Sequence, residues 1–185
     1  MSQNTALLVM DMQPAILANL PDSAALVENV AKAITVARSK NIPIIYATLG
    51  FKNGASEISP NNKTFASTRE HINNINFEEF TKVHTALAPQ ENDIHVIKRR
   101  ISAFTGSSLE VLLRSKDIKH LVLTGYATSG IVLSTTTEAG DKDYKITVLS
   151  DGCADRDEEV HRVLTTKVFL RSADVMTIEE WKILE

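Results

Sequence analysis

Six short apolar runs recur along this chain, with helix-length patterns between most of them, and that alternation restricts the fold more than any single motif. The runs cover residues 6–10, 44–48, 93–98, 120–124, 145–150 and 173–177. Helical patterns occupy 21–40, 107–116, 130–142 and 157–169, and a helical turn closes the chain at 178–181. Such alternation predicts βαβ units and an α/β domain around a mostly parallel six-stranded sheet. Ala6-Leu7-Leu8-Val9-Met10 is apolar on both faces, as a strand covered on both sides by helices must be. At 185 residues the chain suits one domain, 1–185, with a substantial core.

The punctuation supports this reading. Pro21-Asp22-Ser23 opens a helix whose stripe is Leu26, Val30, Ala33, Ile34 and Ala37, and Asn41-Ile42-Pro43 ends it. Ser107-Ser108-Leu109-Glu110 offers a capping box. Between Leu49 and Glu79 the pattern dissolves into Gly, Ser, Asn and Pro with two short helical hints. Irregular segments of this length commonly serve as lids or binding loops.

Charge and cysteine content exclude several classes. A net charge of -3 supplies no basic field for nucleic acid. The single cysteine permits no intrachain disulfide, which fits a reducing cytosol. The first residues lack the basic start and apolar run of a signal peptide. No apolar run approaches the ~20 residues needed to span a bilayer. A cytoplasmic protein acting on a small molecule is expected, with neither nucleic acid nor membrane as partner.

In an open α/β sheet, ligands gather beyond the carboxyl ends of the strands. Those ends carry Asp11-Met12-Gln13, Thr48-Leu49-Gly50, Lys98-Arg99-Arg100, the turn from Gly125 to Ile131, and Asp151-Gly152-Cys153. Asp11 next to Lys98 would stay ionised and serve as a proton acceptor, or as a donor once protonated. The helix opening at Ser129 and Gly130 presents free N–H groups suited to an anion or oxyanion. Arg99 or Arg100 could contact an anionic substrate. His71, His84, His95, His120 and His161 show no metal-binding spacing, so neither a metal nor a cofactor is expected.

Three motifs occur in a telling order: Asp11 in Asp-Met-Gln, Lys98 before Ser102-Ala103-Phe104, and Thr124-Gly125-Tyr126-Ala127-Thr128-Ser129-Gly130. Together they resemble the isochorismatase-like superfamily, also called the cysteine hydrolases, from Leu7 to about Trp181. The resemblance implies a three-layer α/β/α sandwich, Rossmann-like in layout, and hydrolysis of a small molecule. It implies an Asp–Lys–Cys triad, matched by Asp11 and Lys98. It also implies a cis peptide between Tyr126 and Ala127, and an oxyanion hole from the amides of Ala127 and Ile131. Gln13, Tyr126 and Ala127 are the candidate binding residues. Family members commonly form dimers or tetramers. The nicotinamidase branch carries an Asp/His metal cluster after its second strand, whereas this chain has Leu49-Gly50-Phe51-Lys52-Asn53-Gly54 there.

The nucleophile's position holds Ile131, which cannot attack. One reading is a hydrolase that works without a thiol, as in the isochorismatase branch, where an Asp acts as general acid on a vinyl ether. Ile131 nevertheless fills space that a Gly leaves open in that branch. Another reading is a small-molecule-binding protein without turnover, since loss of a covalent nucleophile costs on the order of 10⁶ in rate. A third moves the nucleophile to Cys153. Thr128, Ser129 and Ser134 are read as helix-capping hydroxyls, with no histidine in the matched frame to activate them.

Overall fold

A computed structural model describes residues 4–67, 69 and 75–184, and each apolar run in it forms a strand. These are β1 (Thr5–Met10), β2 (Ile44–Leu49), β3 (Ile94–Lys98), β4 (His120–Tyr126), β5 (Lys145–Ala154) and β6 (Asp174–Met176). The helices are α1 (Pro14–Leu17), α2 (Ser23–Ser39), α3 (Lys63–Ala66), α4 (Phe77–Thr81), α5 (Leu109–Ser115), α6 (Leu133–Asp141), α7 (Glu158–Val163) and α8 (Ile178–Leu184). Residues 1–3, 68 and 70–74, which include His71, and residue 185 lie outside the described residues. The sheet is parallel throughout, in the order β3-β2-β1-β4-β5-β6. Strand order therefore reverses at β1, and the crevice between the ends of β1 and β4 is the position where such sheets bind ligands.

Side-chain alternation along β1 builds the three layers. Ala6, Leu8 and Met10 enter one core, together with Leu109 and Leu113 of α5 and Ala139 of α6. Leu7 and Val9 enter the opposite core, against Val30 and Ile34 of α2 and Trp181 of α8. A third, smaller cluster of Leu49, Phe51, Ala55, Ile58 and Phe65 lies under the excursion between β2 and β3. Among the described residues no helix is long and apolar enough to cross a membrane.

Local chemistry moves several expected boundaries. Asp22 is the cap of α2 rather than part of it, its carboxylate accepting from the Ala25 amide at 3.4 Å. The capping box at 107–110 does not close. Ser108 makes no side-chain cap bond, Ser107 Oγ accepts from the Leu109 amide at 3.1 Å, and Glu110 pairs with Lys142 at 2.7 Å. Strand β5 runs past Ser150 to Ala154 because its register against β4 shifts between Leu123 and Gly125. The shift pairs Gly125 with Cys153 and Tyr126 with Ala154, so Asp151-Gly152-Cys153 belongs to the strand and not to a loop after it. The helix expected over 157–169 is α7 followed by a π-turn at Leu164–Val168.

Candidate active site

Asp11 follows directly on β1, its amide donating to Ala47 O at 2.9 Å. Its φ of 53° turns the chain out of the strand, a left-handed conformation that Asp tolerates better than most residues. Lys98 closes β3, two strands away, and its side chain reaches back to place Nζ 2.9 Å from Asp11 Oδ2. The same ammonium donates to Arg100 O at 3.0 Å. Lys98's side chain is 1% exposed and that of Asp11 10%, so water scarcely screens the pair.

The protonation of Asp11 departs from the expectation that Lys98 simply holds it ionised. Burial raises its carboxyl above the ordinary carboxylate range, outweighing the charge and hydrogen bond of Lys98, which pull it back down. Asp11 Oδ1 is buried with no hydrogen-bond partner. An orphaned buried acceptor costs ~1–3 kcal/mol, a debt that a ligand or a proton on the carboxyl would relieve.

Gln13 braces this corner. Its Nε2 donates to Leu49 O at 3.0 Å and to Phe80 O, and its Oε1 accepts from the Leu49 amide at 2.6 Å. Its carboxamide is thus tied to backbone from β2 and α4, which aligns the ends of β1 and β2.

Across the crevice, Gly125 has φ of 140°, and a Cβ there would sit 2.1 Å from Met10 O. Only glycine lets β4 close beside β1 at this point. The Tyr126–Ala127 peptide is cis, where the resemblance places it. A π-turn over Thr128–Val132 follows, and Ala127 O accepts from the amides of Gly130 (3.0 Å) and Val132 (3.3 Å). Ile131 is 2% exposed and belongs to the core that also holds Phe104 and Leu164. Tyr126 turns to the opposite core, its hydroxyl donating to Asn19 O at 3.4 Å.

Two residues that sequence reasoning missed secure this turn. Thr128 Oγ1 lies 2.8 Å from His161 Nδ1, and the Ser129 amide donates to Asp155 Oδ2 at 2.7 Å. Thr128 is therefore a buried partner of an imidazole rather than a helix cap, and a histidine does reach the matched frame. Burial lowers the imidazole's proton affinity, and the charge of Asp155 offsets part of that. The topology carried the signal: α7 follows β5, which flanks β4, so α7 opens beside the turn.

Other candidates lie elsewhere. Cys153 is buried, with Sγ 3.8 Å from Leu123 O, and burial pushes its thiol up to about 12. Such a thiol carries almost no thiolate at neutral pH and cannot take over the attack. Arg99 and Arg100 both engage Glu57. Ser134 lines a cleft of about 480 Å³ between α6 and the β2–β3 excursion. Among the described residues no cluster of three or more His, Cys, Asp or Glu could hold a metal ion.

Comparison with known proteins matches residues 5–180 to the isochorismatase domain family. The uncharacterized isochorismatase family protein YwoC of Bacillus subtilis is 29% identical over 97% of this chain and 93% of its own length. The ureidoacrylate amidohydrolase RutB of Serratia proteamaculans is 33% identical over 80% of this chain and 69% of its own. The N-carbamoylsarcosine amidase of an Arthrobacter species is 25% identical over 74% of this chain and 52% of its own. Among solved structures, an isochorismatase family protein from Burkholderia thailandensis superposes with a TM-score of 0.84 at 24% identity, covering 99% of this chain and 96% of that one. At that identity the likeness speaks for the fold.

Proposed function

This chain belongs to the isochorismatase family, and from that premise we propose that it is a thiol-free hydrolase of a small molecule bearing an amide, carbamoyl or vinyl-ether bond. Asp11 moves the proton and Lys98 holds the charge. The observation that carries this reading is the state of Asp11: a buried carboxyl with raised proton affinity, one oxygen paired with Lys98 and the other unpartnered, at the strand end that lies beside the start of the 125–131 turn. A carboxyl of that kind is suited to general acid catalysis.

The steps follow from the residues. Protonated Asp11 delivers its proton to the substrate, to carbon in a vinyl ether or to the departing nitrogen of an amide or carbamoyl group. Water supplies the oxygen that bonds to the carbonyl or oxocarbenium carbon, and its proton returns to Asp11. The C–N bond of the amide or carbamoyl group then breaks to release amine, or the hemiketal formed from the vinyl ether loses its C–O bond, its hydroxyl proton passing to the departing alcohol. One water is consumed and the carboxyl ends as it began. Between the two transfers the carboxylate is balanced by Lys98 Nζ at 2.9 Å. The amides of Ala127 and Ile131 are the donors to a developing oxyanion, a backbone role that survives the change of side chain at 131. The activities for which the RutB and N-carbamoylsarcosine amidase relatives are named support the amide and carbamoyl classes. A cytoplasmic dimer or tetramer working without cofactor completes the reading.

The test is turnover of a panel of amides, N-carbamoyl compounds and vinyl ethers, isochorismate included, by wild type and Asp11→Asn. Wild type should release product from one class, and the variant should be slower by about 10²–10⁴, the span of a general acid. Equal rates in the two proteins would sink the proposal. The second reading, binding without turnover, draws on Ile131 being packed as core. It predicts that wild type releases nothing from any class while a compound of the panel still binds by calorimetry.

A further inference from the structure

The segment from 51 to 66 forms a cover over the third apolar cluster. Its buried underside is Phe51, Ala55, Ile58 and Phe65, with the rings of Phe51 and Phe65 edge to face at 5.4 Å. The cluster includes Leu49 at the end of β2 and packs against Ile16 of α1, Phe80 of α4 and Ile101, three residues beyond Lys98. The Lys98 side chain is 1% exposed and that of Asp11 10%, so solvent has little access to the pair.

One residue fastens the cover. Glu57 Oε1 lies 3.3 Å from Arg99 Nε, and both carboxylate oxygens accept from the Lys52 amide at 3.2 Å. Glu57 O accepts from Arg100 Nη2 at 2.7 Å. Arg99 and Arg100 directly follow Lys98, whose Nζ donates to Arg100 O at 3.0 Å. The Lys-Arg-Arg run thus joins the buried pair to the cover through consecutive residues. The cleft of about 480 Å³ beside it, lined by Asn62 and Phe65 of the cover, Arg100, and Leu133 and Thr137 of α6, gives the cover room to swing. Gly50 is the tight corner at its root: a Cβ there would meet Thr81 Cγ2 at 2.7 Å and Ile97 Cγ2 at 2.9 Å.

We propose that residues 51–66 form a lid latched by Glu57, and that the carboxylate of an anionic substrate releases the latch by taking Glu57's place on Arg99. Guanidinium groups recognise carboxylates with charge-assisted, directional hydrogen bonds, so a substrate carboxylate is a chemical match for the group it displaces. The Arg99 and Glu57 side chains are 22% and 30% exposed, which makes the ion pair strong enough to hold a lid and weak enough to exchange. Selection of anionic substrates rests on the hydrolase reading, whereas the latch itself stands in the free protein.

Hydrogen exchange on the full chain tests the latch without any turnover. Glu57→Gln and Glu57→Ala should each speed exchange of amides in 51–66 about fivefold, the range of a half-exposed ion pair, and leave β1 and β4 amides unchanged. Unchanged exchange in both variants overturns the latch. The matched probes N-carbamoylglycine and its neutral amide then test the displacement by calorimetry. Both Glu57→Gln and Arg99→Gln unlatch the lid and should tighten the neutral probe alike, by up to about fivefold. Measured against that neutral probe, Glu57→Gln should favour the anion and Arg99→Gln disfavour it, each by about tenfold, as expected for one charged hydrogen bond. Equal shifts for the two probes overturn the displacement. Faster lid exchange in variants of a protein that turns over nothing would keep the latch and remove the hydrolase reading.

Discussion

Asp11 with Lys98 on one side of the crevice, and the turn from Tyr126 to Val132 on the other, are buried to a similar depth but held by different forces. The first is an ion pair closed off from water, in which each member makes the other's burial tolerable. The second is held by backbone and shape: a glycine that lets two strands touch, two amides returning to Ala127 O, and an Ile131 side chain sunk in the core. Side-chain contacts also reach the turn from outside, from His161 and Asp155. The difference explains how the turn accommodates an apolar residue at 131 and remains intact. An apolar side chain suits position 131, which faces the core, whereas removing Asp11 or Lys98 would leave its partner buried without its counterpart.

That contrast is most open to attack at Lys98. Lys98→Met should cost about 3–5 kcal/mol, the usual penalty for stranding one member of a buried pair. Asp11 supplies the sign of its pH dependence. Its proton affinity is already raised in the fold, so its contribution is greatest at low pH and is lost as pH rises through the folded-state value. Without Lys98 that value rises further. Urea unfolding should therefore show a larger loss at pH 8 than at pH 5. An equal loss at both would mean the two groups are not a coupled pair.

On the opposite side the measure is volume. Ile131→Ala should cost about 2–5 kcal/mol and Ile131→Val about 0.5–1.5. A graded series of that kind marks a core residue. A cost below about 1 kcal/mol for the alanine variant would mean that the side chain borders ligand space instead, and the two halves would then be less different than their burial suggests.

The outer fastening of the turn is a smaller effect with its own pH signature. His161 has lowered proton affinity because it is half-buried, partly offset by Asp155. Its contribution is therefore complete above the unfolded-state value near 6.5 and lost as pH falls below it. Wild type should lose part of its stability between pH 7 and 5. His161→Gln should lack that component and lose about 1 kcal/mol at pH 7, the size of one hydrogen bond. Thr128→Val should reproduce the pH 7 loss while keeping the slope. A slope unchanged in His161→Gln would assign the titration to another group.

Much of this architecture was legible from local pattern. Apolar runs bounded by breakers marked all six strands, the placement of Asp11 and Lys98 on the ends of β1 and β3 anticipated the ion pair, and the family resemblance those residues carry with the 124–130 turn implied the cis bond at Tyr126–Ala127. What was hidden depended on depth and on neighbours distant in sequence. The proton affinity of Asp11 follows from burial, which adjacency to a lysine does not reveal. The extension of β5 to Ala154 depends on a register shift against β4 at Gly125. The open capping box at Ser107 reflects the pull of Lys142 on Glu110. His161 was invisible because α7 meets the turn only after β5 is laid beside β4.

The smallest expected effect belongs to the one thiol. Cys153 lies inside β5, its Sγ 3.8 Å from Leu123 O, with burial pushing it up to about 12. At pH 8 the thiolate is then on the order of one part in 10⁴ of the thiol. Iodoacetamide should leave the native protein unlabelled over hours, label it rapidly in urea, and spare any turnover found with the substrate panel. Cys153→Ala should keep that turnover within about twofold, because the thiol serves as a small buried hydrophobe. Rapid native labelling with matching loss of activity would place the nucleophile on β5, and the crevice between β1 and β4 would no longer hold the whole of the chemistry.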